Sequence, residues 1–92
     1  MFGQAMSRMN SKHRKTLEAI FANPVNGNLE WTCIEALFIA IGCRVIEGSG
    51  SSVGFEKDGF RVRFHRPHPH KAALVYRVKD ARAFLEQIGV IP

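Results

Sequence analysis

Long apolar runs are what this chain most clearly lacks. No stretch of its 92 residues reaches the roughly 18 apolar positions needed to cross a bilayer, and the richest, Ala36 to Ile41 with its flanks, suits a buried helix face. The opening MFGQAMSRMN has neither an apolar signal core nor a cleavage pattern, so export is not expected. Residues 1–10 read as a disordered lead in which Met6 or Met9 is an alternative start. Cysteine is also scarce. Cys33 and Cys43 are the only two and lack metal-site spacing, so reduced thiols are the default and a disulfide the alternative. There is no internal repeat, domain linker or low-complexity tract, and residues 11–92 read as one domain.

Acidic residues are few as well. Eight Asp and Glu stand against thirteen Lys and Arg, a formal charge of +5. Such a surface favours a polyanionic partner, nucleic acid first, although basicity also serves solubility alone. With 46% hydrophobic residues the composition is that of a globular chain, not a disordered one. At this length only about 60–65% of the unfolded surface becomes buried, so the core is modest.

The first expected helix is residues 11–22, SKHRKTLEAIFA, with Ser11 as N-cap and Leu17, Ile20 and Phe21 on one face. Asn23-Pro24 stops it and Val25-Asn26-Gly27-Asn28 is turn chemistry. A second helix begins with Thr32 as N-cap in a capping box, T-C-I-E, and carries Ile34, Leu37, Phe38 and Ile41 at helical spacing up to Gly42. Residues 43–47 form a short strand. Residues 52–57 (SVGFEK) and 60–65 (FRVRFH) flank Asp58-Gly59, a type I′ hairpin signal. In the latter strand Phe60, Val62 and Phe64 alternate with Arg61, Arg63 and His65, giving an apolar face, read as core, and a cationic one. Arg66-Pro67-His68-Pro69-His70 cannot continue a central strand and reads as an exposed loop. Residues 71–76 fit a loop or a short edge strand. A third helix spans 77–88, with Val78, Ala81, Leu85 and Ile88 buried and Gly89 at its end. The order is α-α-β-β-β-α: an α+β fold with a three-stranded antiparallel sheet and helices on one face.

Three stretches carry a family likeness: CIEALFIAIGCRVIEGSG, the strand pair closing on FHRPHP, and the ending FLEQIGV. In their order and spacing the span from Trp31 to Val90 resembles the HicA family, the toxin half of HicA–HicB toxin–antitoxin systems. The helix at 11–22 is an extension beyond the family's compact core. The resemblance implies a fold like the double-stranded-RNA-binding domain. It also implies a ribosome-independent mRNA endonuclease, held inactive by a HicB-like antitoxin in a bacterial or archaeal cytoplasm, with no cofactor. One position departs from the family. There a glycine-serine pair at the start of the second strand is followed by a histidine regarded as catalytic. Here Gly50-Ser51 is followed by Ser52, and the alternative alignment on Gly48-Ser49 puts Gly50 in that place.

Cleavage by the RNA 2′-OH needs a base, an acid for the 5′-oxygen and cations for the charge on phosphorus. Histidine is the natural proton carrier near neutral pH, and His65, His68 and His70 lie beside Arg61, Arg63 and Arg66. His65, projecting from the arginine face, is the candidate replacement for the family histidine, with His68 and Ser52 as further catalytic candidates. The open alternatives are a solvated histidine turn and a zinc site of the three histidines, which has no carboxylate or thiol nearby to complete it. Arg61, Arg63, Arg66 and Lys71 are the expected phosphate contacts, and Ser49 and Ser51 are placed to offer backbone N–H groups. Such a face suits structured RNA read by shape, and equally an acidic antitoxin surface.

Overall fold

In the computed structural model, which describes residues 9–25, 27–67 and 71–92, the first helix, α1, spans Ser11–Ile20. Its cap is one residue earlier than expected. Asn10 is extended, and its side-chain oxygen accepts the His13 N–H at 2.8 Å, while Met9 packs against the core. The last two residues of the expected lead therefore belong to the folded domain; the rest of it, residues 1–8, falls outside the described part.

α2 spans Trp31–Ala40 and starts on a tertiary contact, not on the expected capping box. Glu30 is the N-cap and makes no side-chain cap bond. The Trp31 N–H is taken by the Lys71 carbonyl at 3.2 Å, through an isolated antiparallel bridge between Glu30 and Ala72. Glu35, the acid of the expected box, instead accepts from Trp31 Nε1 and from the Arg66 guanidinium. Charge-assisted bonds from arginine are stronger than a bond to a neutral backbone N–H, so the box loses its carboxylate. The far end behaves as the sequence implies. Gly42 sits at φ +94° and Cys43 N–H reaches back to Phe38 O at 3.0 Å, the paired bonding of a Schellman motif.

β1 (Arg44–Glu47), β2 (Ser52–Lys57) and β3 (Phe60–His65) form an antiparallel sheet in the order β1-β2-β3. Asp58 at φ 54° and Gly59 at φ 85° make the type I′ turn. That turn pairs Lys57 with Phe60 and fixes every later pair as far as Ser52 with His65. The undecided segment after residue 70 resolves into the bridge at Ala72 and then α3, Val75–Gln87, which begins two residues before the expected start.

The inner sheet face and the helices share one core. Trp31 and Phe38 of α2, Phe55 of β2, Phe64 of β3 and Phe84 of α3 form a ring cluster with centroids 4.9–6.3 Å apart. Pairs of this kind add about 0.5–1.5 kcal/mol each beyond their area burial. Phe84 replaces Ile88 on the expected stripe of α3; Ile88 is only half-buried. Phe60, expected in the core, is 41% exposed because it opens β3 beyond the reach of the helices. α1 packs on α2 and α3, away from the sheet, with Leu17 and Ile20 buried. Arg82 of α3 holds it there, donating to the Ile20 and Ala22 carbonyls at 3.1 and 2.9 Å. The result is an α+β fold in the order α-α-β-β-β-α. Among the described residues no helix is long and apolar enough to cross a membrane.

Candidate functional site

With the helices on one side, the other face of the sheet is open, and strand parity decides what it carries. Arg66 N–H donates to Ser51 O at 2.8 Å, which makes 51/66 a hydrogen-bonded pair. Alternation then makes Ser52/His65, Gly54/Arg63 and Glu56/Arg61 non-hydrogen-bonded pairs, with Cα atoms about 4.5 Å apart and side chains close. All three lie on the outer face, in three rows.

The first row is electrostatically satisfied. Glu56 receives Arg44 from β1 and Arg61 from β3, and the Arg44 hydrogen bond holds its carboxyl below the usual 4.5. In the second row Gly54 lies between Ile46 and Arg63. Arg63 Nη1 donates to Ser52 Oγ at 2.8 Å, and its guanidinium meets no carboxylate among the described residues. The third row sets Ser52 against the exposed His65. Gly48 presses on this group: a Cβ there would stand 2.8 Å from Ser52 Oγ and 3.0 Å from Arg63 Nη1. Its missing side chain is therefore what lets serine and arginine pair.

The expected site residues fall into four places. His65, Ser52, Arg61 and Arg63 come together on the outer face. Ser49 and Ser51 are exposed in the adjoining turn, where their carbonyls accept the Ser52 and Arg66 N–H groups. Lys71 is exposed beside the start of α2, where its carbonyl takes the Trp31 N–H. Arg66 has the parity of Phe64 and turns to the inner side. There its guanidinium donates to both oxygens of Glu35 and both of Glu47, at 2.8–3.0 Å. It braces α2 against β1 in place of the expected phosphate contact; this pairing raises its own pKa and lowers that of Glu47. His68 and His70 lie outside the described residues, so the zinc set is represented by His65 alone. Among the described residues no group of three His, Cys, Asp or Glu is placed to hold a metal ion. Cys43 is a free buried thiol whose pKa burial pushes up to about 11, so it is no nucleophile near neutral pH.

Sequence reasoning used Gly48 only as an alignment position and passed over Gly54. Gly54 had a signal, since a glycine inside a strand often marks a close approach by something else. Itself buried, it underlies an open groove of about 290 Å³ lined by Ile46, Gly54, Phe55, Arg61, Val62 and Arg63. A smaller hollow of about 180 Å³, between His65 and Tyr76, Arg77 and Asp80, flanks the other side of β3. Compared with known protein families, curated proteins and solved structures, the chain matches none.

Proposed function

We propose that the chain is a HicA-like toxin: an mRNA endoribonuclease acting from the outer face of the sheet, neutralised by a HicB-like antitoxin in the cytoplasm. The observation that carries this reading is the Ser52–His65 pair. In the alignment on Gly50-Ser51, Ser52 occupies the position at which the family resemblance expects the catalytic histidine. His65 is its direct cross-strand neighbour, on the same face and beside Arg63. An imidazole on β3 thus reaches the space that a histidine on β2 would otherwise serve. The α2-β1-β2-β3-α3 arrangement, with helices on one side of the sheet, also agrees with the fold that the resemblance implies.

The chemistry uses the substrate's own nucleophile. His65 takes the 2′-OH proton as the 2′-oxygen bonds to phosphorus. Arg63, with no carboxylate partner among the described residues, faces the charge that builds on the phosphoryl oxygens. The bond from phosphorus to the 5′-oxygen breaks, and that oxygen leaves with a proton from water or from a second acid, the role open to His68. The products are a 2′,3′-cyclic phosphate and a free 5′-hydroxyl. Ser52 orients Arg63 through its hydrogen bond and needs no activation for that task.

A second reading, a non-catalytic RNA- or antitoxin-binding module of the same fold, is favoured by one observation: His65 is the only imidazole on this face among the described residues. Incubation of purified wild type and His65→Ala with a mixed-sequence mRNA, followed by end-group analysis, separates the two. The toxin reading expects cyclic-phosphate ends from wild type and a loss of about a hundredfold in the variant. Equal cleavage by both proteins sinks the assignment of His65. No cleavage by either, with RNA or antitoxin still bound, leaves the binding module.

A further inference from the structure

Gly54 has no structural reason to be glycine. Its φ is not in the left-handed region, and a Cβ there would meet its nearest neighbours, Arg63 Nη2 and Ile46 Cβ, at 3.5 and 3.6 Å, ordinary contact distances. Mid-strand glycine lowers β-propensity and gives up a side chain on the central strand. Gly48 is different, because a Cβ there collides with its neighbours. The fold explains one glycine and not the other.

What Gly54 does create is the groove. Gly54 itself is buried, because Arg63 reaches across it to contact distance, and above it the groove has the aliphatic Ile46 as one wall with Arg61 and Arg63 flanking it. At about 290 Å³ it sits at the lower end of the roughly 300–1,000 Å³ typical of ligand pockets, enough for one flat ring system and not for an extended cofactor. Of the flanking cations, Arg61 is tied to Glu56 while Arg63 bonds only the neutral Ser52 hydroxyl. Flatness, an aliphatic wall, guanidinium planes and an uncompensated positive charge together describe a nucleobase with its phosphate.

We infer that the groove over Gly54 is a subsite for one unpaired nucleotide of single-stranded RNA, its base lying against Ile46 above Gly54 and its phosphate on Arg63. A duplex does not satisfy this site, because paired bases keep their faces stacked inside the helix and present only edges. This narrows the expectation of structured RNA drawn from charge alone. The spacing also joins the subsite to the proposed chemistry. Arg63 and His65 are two residues apart on one strand, about 6.6 Å, so a phosphate held by Arg63 puts the adjoining ribose beside His65. The inference rests on RNA being the ligand of this face, but not on the protein cutting it.

The test is fluorescence anisotropy at fixed salt with a labelled 2′-O-methyl RNA octamer, which cannot undergo 2′-OH attack, offered single-stranded and as a duplex. Wild type should bind the single strand at least tenfold more tightly than the duplex. Gly54→Val, which pushes Arg63 from its place over the strand and narrows the groove, should lose about tenfold or more on the single strand, given roughly 1–3 kcal/mol per stacked base, and little on the duplex. Gly54→Ala, whose Cβ finds ordinary contacts, should fold as wild type and show a smaller loss in the same direction. Full single-strand binding by both variants overturns the subsite, as does equal affinity for duplex. Failure of wild type to bind either RNA form also overturns it and leaves the face to a protein partner. Cleavage that is present but indifferent to residue 54 removes the subsite and spares the nuclease reading; Gly54-dependent binding without cleavage does the reverse.

Discussion

The two faces of the sheet are cut from the same three strands, residue by alternate residue, and share almost nothing. The inner face carries Val53, Phe55 and Phe64, each at most 3% exposed, and meets Trp31, Phe38 and Phe84. The outer face carries Arg44, Glu56, Arg61, Arg63, Ser52 and His65, with glycine at its centre. Packing requirements account for nearly every residue of the first set. For the second they account for Gly48 and the ion pairs around Glu56, and for little else. That difference separates residues kept for stability from residues free to serve a ligand, and substitution on each face should move one property and spare the other.

The largest effect belongs to the inner face. Phe38→Ala removes the ring that touches Phe55, Phe64 and Phe84 and should cost about 3–5 kcal/mol. At roughly 0.05–0.15 kcal/mol per residue a domain of this size holds about 5–14 kcal/mol in total, so urea denaturation should find a large part of the stability gone. A loss below about 1 kcal/mol would mean that the aromatic cluster is not the centre of stability.

On the outer face the matching experiment restores the histidine that the family resemblance expects. Ser52→His should raise RNA cleavage by about tenfold or more, within the range that a positioned acid–base group supplies, and leave the unfolding free energy from urea titration within about 0.5 kcal/mol. The gain requires the new ring to fit beside Gly48 and to share the face with His65 and Arg63. Unchanged cleavage in a folded variant would show that this face is not where the chemistry occurs, and the contrast between the faces would lose its functional half.

How far this contrast was legible beforehand depends on the range of the forces involved. The hairpin is local: Asp58-Gly59 supports only a type I′ turn, and once that turn pairs residues 57 and 60, counting alone puts Ser52 opposite His65. Both glycine-terminated helix ends are local too, since Gly42 and Gly89 close Schellman motifs with backbone bonds. The start of α2 is not local. Its capping box fails because Glu35 is claimed by Trp31 and by Arg66, which lies 31 residues away. Arg66 itself could have been placed by parity with Phe64; the prolines after it suggested a free loop and hid its role. The difference between Gly48 and Gly54 was hidden for another reason, because only the distance from an absent Cβ to its neighbours distinguishes a glycine the fold needs from one it does not.

Arg66 stands at the junction of the faces, and its removal should give an intermediate effect. Arg66→Ala deletes charge-assisted bonds to Glu35 and Glu47 and should cost about 1–2 kcal/mol, since the group is partly exposed and solvent screens it. The pH dependence follows from the carboxyl side. Glu47 and Glu56 are held below the ordinary value of 4.5 by their arginines. Their contribution is therefore complete above that pH and declines as acid protonates them through their lower folded values. Urea midpoints measured between about pH 3 and 6 should fall with acid in wild type, less so at high salt, and the fall should be shallower in Arg66→Ala. An identical slope in the variant would show that the Glu47 pairing does not contribute in solution.

The smallest effect tests whether parity alone assigns a residue to its face. Phe60 alternates in register with Val62 and Phe64, yet it is 41% exposed where Phe64 is 3% exposed. Burial, not alternation, sets the stabilising contribution, because only surface removed from water counts. Phe60→Ala should therefore cost less than about 1 kcal/mol, against about 3–5 kcal/mol for Phe64→Ala, with both read from the same urea titration. RNA binding should be unaffected in Phe60→Ala, since its side chain points away from Arg61 and Arg63. Equal losses at the two positions would mean that Phe60 is covered in solution, and the inner face would then extend to the very tip of the hairpin.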